Sequence, residues 1–346
     1  MEKIVYILGA GFSRPLGLPI MSDFLEKSKD QYFAHPEKFA HFKNIFENEL
    51  KQIHIASDHY QTNVFNIEDI LSILEFRARL DPSSADKNEQ MNEFIRYLKD
   101  VIEFYTPTDT IESNSNALFC DGKWNEYIRF VSALMNCTFQ DTHTGLVAGF
   151  ENQSHIFADF EQKDYQYSVI TFNYDRILES VQEHLTTFGS TRYFHRLADL
   201  DDPRNQTCFA KLHGSVDGEI ILPTWNKGLN PSILPDWKVA YRVLSEANQI
   251  RILGYSLPIT DTYFRYLLRA TIIDTPNLRW IDVICKDNSG SVKKSYGDFV
   301  LYHKYRYMEA TIEDYLVQNQ VYENREGQVY FSLENAHEAF VRKVFA

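Results

Sequence analysis

Four short segments of this chain gather residue types that can do chemistry: GAGFS at 9–13, TFNYD at 171–175, KLHGS at 211–215 and GYSLP at 254–258. In the first, Gly9, Ala10, Gly11 and Phe12 form a glycine-spaced turn with Ser13 behind it, where the backbone could approach a phosphate closely. It matches only part of the dinucleotide-binding fingerprint, because Arg14 stands where the third glycine would be. An ordinary tight strand-to-helix turn fits the same residues. In TFNYD, an amide and a carboxylate lie two positions apart, and on an extended strand end Asn173 and Asp175 point the same way. Asn173 as a turn residue, with Asp175 capping a helix from Arg176, is the plainer alternative. KLHGS offers one imidazole, His213, of a type that can take a proton near neutral pH. Gly214 directly after it marks a close backbone approach, although a structural histidine would also fit. In GYSLP, Gly254 and Ser256 either contact a ribose or phosphate or form a turn, and in the following ITD, Thr260 or Asp261 reads as a helix cap.

The elements that must position these residues alternate in an informative order. KIVYIL at 3–8 reads as a first strand leading into the glycines. From about residue 21 to 140 the strands give way to helical spacing. Asn66 would cap a helix lined by Ile67, Ile70, Leu71, Leu74 and Ala78, followed by helices lined by Met91, Phe94, Ile95, Leu98 and Ile102, and by Trp124, Tyr127, Ile128, Val131 and Leu134. The polar stretches 81–90 and 106–116 read as loops. Short β-branched runs then return at 168–171, 208–212, 219–222, 250–253 and 280–285, several followed by helical segments, and YRYMEATIEDYLVQNQ reads as a closing helix. This order predicts an α/β, Rossmann-like, mostly parallel sheet with helices on both faces and a large helical insertion after the first strand. The core would comprise residues 1–20 and 161–346, and the insertion 21–160. Because open α/β sheets bind ligands beyond the carboxyl ends of their strands, the four segments are expected on one rim.

Composition narrows the classes of partner. With 35 Lys and Arg against 48 Asp and Glu, the formal charge is −13, which argues against a surface dedicated to nucleic-acid backbones. The four cysteines, Cys120, Cys137, Cys208 and Cys285, form no C-x-x-C pair. No basic-then-apolar leader and no long uncharged apolar run is visible, so a cytoplasmic protein with reduced thiols and no membrane contact is expected.

Taken as a set, the four segments resemble the motifs of bacterial sirtuin-like NAD-consuming proteins. GAGFS looks like the family's GAG-x-S cofactor loop, TFNYD like its T-x-N-x-D motif, KLHGS like its His-Gly motif and GYSLP like its Gly-x-Ser ribose-contacting motif. LPTWNK at 222–227 and NIEDILSILE at 66–75 are similar to further segments of the prokaryotic branch, and the resemblance spans residues 4–290. It implies NAD as substrate, Asn173 orienting the nicotinamide ribose or the attacking water, and His213 as the base. It further implies Asp175 holding the cofactor or ordering the asparagine loop, Gly9, Ala10, Gly11, Phe12 and Ser13 around the phosphates, and Gly214, Gly254 and Ser256 contributing contacts. The paired cysteines of zinc-binding, protein-deacylating sirtuins are missing, so no metal is expected. Cys285 stands where sirtuins usually place an adenosine-contacting Asn. The resemblance therefore implies an NAD hydrolase releasing nicotinamide and ADP-ribose, in the manner of antiphage effectors. Its alternatives are a non-catalytic sensor of NAD or ADP-ribose that regulates a partner, or a zinc-free deacylase or ADP-ribosyltransferase. The aromatic-rich insertion suggests a homo-oligomer, or a partner such as a defence-system ATPase.

Overall fold

The structure is a computed structural model. It describes residues 1–51, 59, 67–107, 111–114, 117–120, 124–135, 137–141, 155–159, 164–187, 193–195, 206–221, 231–259, 261–275, 277–318, 321–323 and 329–346. Asn66, Thr260 and the 222–227 segment lie outside these residues.

The first strand, β1 (Glu2–Leu8), organises everything else. Its residues alternate between two cores, with Ile4, Tyr6 and Leu8 in one and Val5 and Ile7 in the other. A strand buried on both faces belongs at the centre of a parallel sheet. Accordingly β1 pairs in parallel with β6 (Tyr165–Thr171) on one side and β9 (Gln249–Leu253) on the other. The sheet continues through β8 (Gln206–Lys211) to a short edge strand β7 (Tyr193–His195) on the β6 side. On the β9 side it continues through β10 (Trp280–Ile284) to β11 (Tyr305–Met308). All seven strands are parallel, in the order β11-β10-β9-β1-β6-β8-β7. Leaving out the β7 edge and counting the rest along the chain gives 3-2-1-4-5-6, the doubly wound order whose strand sequence reverses beside the first strand. The expected Rossmann-like α/β sheet is present.

Between β1 and β6 the three expected helices form at Ile67–Leu80, Ala85–Tyr105 and Trp124–Leu134, preceded by a helix at Phe24–Ala34 beyond those expected. Ile67, Ile70, Leu71, Leu74 and Ala78 are buried as the spacing predicts, as are Phe94, Leu98, Ile102, Trp124, Tyr127, Ile128, Val131 and Leu134. Each fully buried aliphatic side chain contributes about 1.5–3 kcal/mol. These residues share one core with Ile4, Tyr6, Leu8 and Phe12, so the inserted helices pack directly on the sheet.

Four sequence expectations need correction. The insertion is not wholly helical: β2 (Ile111–Asn114), β3 (Ala117–Cys120), β4 (Cys137–Asp141) and β5 (His155–Asp159) form an antiparallel sheet in the order β2-β3-β5-β4. Strands of four or five residues are too short for alternation to stand out, and the 106–116 loop reading missed one of them. The 81–90 stretch is a loop only to Ser84, whose hydroxyl accepts the Lys87 amide and starts the helix at Ala85. Within 219–221 there is no strand, only an isolated bridge from Ile220 to Gly214. Finally, the stretch read as a closing helix opens with edge strand β11 and holds only a five-residue helix, Ile312–Leu316; a hairpin of β12 (Val321–Glu323) and β13 (Val329–Phe331) follows, then the helix Leu333–Phe345.

That last helix covers a buried polar row. Tyr6, Arg251, Asp282 and Arg306 lie side by side across β1, β9, β10 and β11. The fully buried Arg251 donates to Tyr6 Oη at 2.8 Å and to both oxygens of Glu334, at 2.9 and 2.5 Å. Asp282 takes two bonds from Arg306, at 2.6 Å each, and lies 2.9 Å from Nε2 of the buried His337. Burial, with Arg251 nearby, pushes the His337 imidazole down to about 4. Burial opposes the charge on Asp282, but the bonds from Arg306 and His337 hold its carboxyl below the usual range.

Because His337 binds its proton more weakly folded than unfolded, its contribution to stability is complete above about pH 6.5 and is lost as pH falls toward 4. The loss amounts to about 3 kcal/mol. Asp282 adds its own loss only below the ordinary carboxylate range. Urea unfolding at pH 7, 5.5 and 4.5 should therefore give a steeper loss for the wild type than for His337→Gln. Parallel slopes would contradict this account of the row.

Candidate functional site

The strand ends lie in register. Leu8 is level with Thr171 and with Leu253, and Thr171 is level with Lys211. Hence GAGFS, TFNYD, KLHGS and GYSLP leave four adjacent strands, β1, β6, β8 and β9, on one rim, where ligands of such sheets bind.

The glycines answer to each other. After β1 the chain enters a single turn of helix, Ala10–Ser13, and Gly11 donates its amide to the Gly254 carbonyl at 2.9 Å. A Cβ on Gly11 would lie 2.9 Å from the Gly254 Cα, and one on Gly254 would lie 2.4 Å from the Phe12 amide nitrogen. Gly254 has φ +63°, the left-handed region that favours glycine. The demand for glycine at 11 and 254 is thus set by backbone packed on backbone. Phe12 is buried edge-on to Tyr127, whose hydroxyl donates to the Phe12 carbonyl. The inserted helix thereby clamps the turn from the other side.

The product of this packing is the placement of Ser13, which is buried. Its hydroxyl donates to Asp175 Oδ2 at 2.6 Å, and Asn173 Nδ2 donates to Ser13 Oγ at 2.9 Å. A hydroxyl has one proton. With that proton committed to a carboxylate, the group facing Ser13 must be the Asn173 NH2, which fixes the amide's orientation. Asn173 Oδ1 is buried and has no hydrogen-bond partner among the described residues. Asp175 has a second task, since its Oδ1 accepts the Ile177 amide at 3.1 Å where the next helix begins. Asp175 therefore both accepts the Ser13 hydroxyl and bonds an amide at the start of the helix Ile177–Thr187, one residue later than the expected start at Arg176. Lys211, 1% exposed, braces this loop by donating to the Asp175 carbonyl, to Glu179 at 2.8 Å and to Ser215 Oγ at 3.2 Å.

His213 belongs to a neighbouring cluster joined to the first through residues 172–174. Its ring meets Phe172 edge-on at 5.1 Å and Tyr174 at 5.8 Å. Its Nε2 lies 3.9 Å from Asp261 Oδ2. Tyr255 stacks on Phe172 at 4.3 Å and donates to Asp261 Oδ2 at 2.5 Å. Gly214, at φ +77°, makes the close approach expected of it, with the Glu219 carbonyl 1.9 Å from where a Cβ would stand. Ser256 is exposed on the same rim. Sequence reasoning took Asp261 for a helix cap alone; it caps Phe264, and it also faces His213. No local signal could have joined residues 48 positions apart. Cys285, next to the β10 end, is buried, and burial beside Asp287 pushes its thiol up to about 12.

Among the described residues no cluster of side chains suits a metal ion, and no helix is long and apolar enough to cross a membrane.

No family profile matches this chain, and no curated protein matches it in sequence. Solved structures with a similar trace include Sir2 in complex with the inhibitor EX-527, 2'-O-acetyl-ADP-ribose and a deacetylated p53 peptide, at 11% identity over 91% of each chain and a TM-score of 0.34. Another is Sir2Tm bound to a propionylated peptide, at 12% identity over 91% of this chain and 90% of that one, with a TM-score of 0.31. Likenesses this distant carry no conclusion about activity.

The glycine contact makes a graded prediction. Gly254 and Gly290 both have positive φ, but a Cβ on Gly290 meets nothing within 4 Å. Gly290→Ala should cost about 1 kcal/mol of unfolding free energy. Gly254→Ala should cost roughly 2 kcal/mol more, because backbone must also move. Equal losses in chemical denaturation would show that the Gly11–Gly254 contact is not what demands glycine.

Proposed function

We propose that this chain hydrolyses NAD to nicotinamide and ADP-ribose. The observation that carries the reading is the buried, oriented and unpartnered Asn173 Oδ1, held by Ser13 and Asp175 on the ligand-binding rim of a doubly wound sheet. A buried acceptor without a partner is costly, and a hydroxyl or water proton would satisfy it. In support, His213 lies in the adjacent cluster, and the motif set resembles that of NAD-consuming proteins.

In this reading water is the second substrate. The C–N bond between ribose and nicotinamide breaks, its electron pair stays with the departing nitrogen, and positive charge develops on the ribose. The water oxygen bonds to that carbon and its proton leaves. Asn173 Oδ1 accepts a hydrogen bond from the water or a ribose hydroxyl, a fixed dipole needing no reorganisation. His213 takes the proton that is released. The rim turn at Gly9–Ser13, with Gly254 and Ser256, flanks the phosphates and riboses, although the Gly11 amide, already bonded to Gly254, is not one of the donors. A role as an antiphage effector rests on the motif resemblance, and action as a homo-oligomer or with a partner rests on the aromatic-rich insertion.

Asn173→Ala and His213→Ala should keep the fold and part of the NAD affinity. Nicotinamide release should fall about a hundredfold to a thousandfold for the first and about a hundredfold to ten-thousandfold for the second. The double variant should be little worse than the poorer single one. Release assays beside calorimetric NAD titration separate hydrolysis from sensing. Wild-type-like release by His213→Ala would overturn the mechanism, and NAD binding without release by the wild type would favour the sensor.

A further inference from the structure

We propose that Asp261 is the positioning residue for His213, holding a fixed negative charge beside the imidazole as it takes up the proton. The inference rests on the hydrolase reading for its catalytic meaning, but the pairing itself can be tested without NAD.

The two oxygens of Asp261 do different work. Oδ1 accepts the Phe264 amide at 3.3 Å and caps the helix Thr262–Ile273. Oδ2 accepts the Tyr255 hydroxyl at 2.5 Å and lies 3.9 Å from His213 Nε2. Capping alone would be met equally by Asn or Ser. It does not explain a second oxygen turned to a phenol and an imidazole in a place where Asp261 and His213 are 2% and 4% exposed. A distance of 3.9 Å is ion-pair reach but beyond a hydrogen bond, and catalytic hydrogen bonds are often this long before substrate arrives.

The carboxylate is held rigidly. Tyr255 is pinned by its stack on Phe172, and its carbonyl accepts the Tyr296 hydroxyl at 2.8 Å. The Asp261 amide donates to the Pro258 carbonyl at 3.1 Å. His213 is held by the rings of Phe172 and Tyr174, and its carbonyl accepts the Ile221 amide at 2.8 Å. Ionisable groups packed around it include Tyr174 from the β6 end and Tyr255 and Asp261 from the β9 end. Lys211, on its own strand, directs its ammonium to Glu179, Ser215 and the Asp175 carbonyl. In so dry a place a neutral imidazole that gains a proton needs a fixed countercharge, and Asp261 provides it. The proton passes from the reacting hydroxyl or water oxygen to a ring nitrogen of His213, and Asp261 stays ionised throughout.

The test uses Asp261→Asn and Asp261→Ser, both of which keep a cap and remove the charge. The His213 ring signal, assigned by its loss in His213→Gln, is followed by NMR through a pH titration of the NAD-free protein. In both variants the His213 titration should move to lower pH, with Asp261→Asn losing less thermal stability than Asp261→Ser because its amide still meets the Tyr255 hydroxyl. In nicotinamide-release assays kcat should fall about tenfold or more with KM held, and the acid limb of the pH profile should follow the NMR midpoint. An unmoved His213 titration in the folded variants would overturn the pairing. A wild type that releases no nicotinamide while its His213 titration still depends on Asp261 would remove the hydrolase reading and leave the pairing standing.

Discussion

The Ser13 hydroxyl has one hydrogen bond to donate, and the Asp175 carboxylate accepts it. From this follow the orientation of the Asn173 amide and a buried carbonyl oxygen left without a hydrogen-bond partner among the described residues. Ser13 can make both bonds only if the chain turns within a few residues of the β1 end and comes back against β6. That turn needs backbone against backbone at Gly11 and Gly254, and hence β9 on the other side of β1. The reversal of strand order beside β1 and the chemistry of the rim are thus one constraint seen at two scales.

The two faces of the sheet serve this constraint differently. On one, the inserted helix Trp124–Leu134 places Tyr127 on Phe12 and Phe130 on Tyr6, tying the insertion to the turn that holds Ser13. The same face carries the row of Tyr6, Arg251, Asp282 and Arg306, closed by Glu334 and His337 of the last helix. Buried charges are tolerated there because each has a partner of opposite sign and good geometry. On the other face the aromatic cluster of Phe172, Tyr255 and Phe264 holds the segment carrying Asp261.

Much of this was legible in the sequence, for physical reasons. The β-rich run of β1, the glycines after it and the three amphipathic helices with lined faces are local signals, and the structure reproduces them. So is the strand–helix alternation after residue 160 that predicts a parallel sheet. The four-stranded sheet of the insertion, the edge strands β7 and β11 and the absence of a strand at 219–221 were not legible, because strands this short owe their form to partners distant in sequence. At the site, Asn173, Asp175, Ser13 and His213 were found as residue types at strand ends. That Ser13 joins Asn173 to Asp175, and that Asp261 faces His213, depends on register between strands, which no single segment encodes.

In the proposed hydrolysis water attacks the ribose of NAD at this rim, and isotope labelling reads that attack directly. Incubating the protein with NAD in water enriched in oxygen-18 should yield nicotinamide and ADP-ribose in equal amounts, with one heavy oxygen on the ribose by mass spectrometry after correction for spontaneous exchange at that carbon. NAD left intact, or nicotinamide released with the ADP-ribose attached to a protein or another acceptor, would contradict the account.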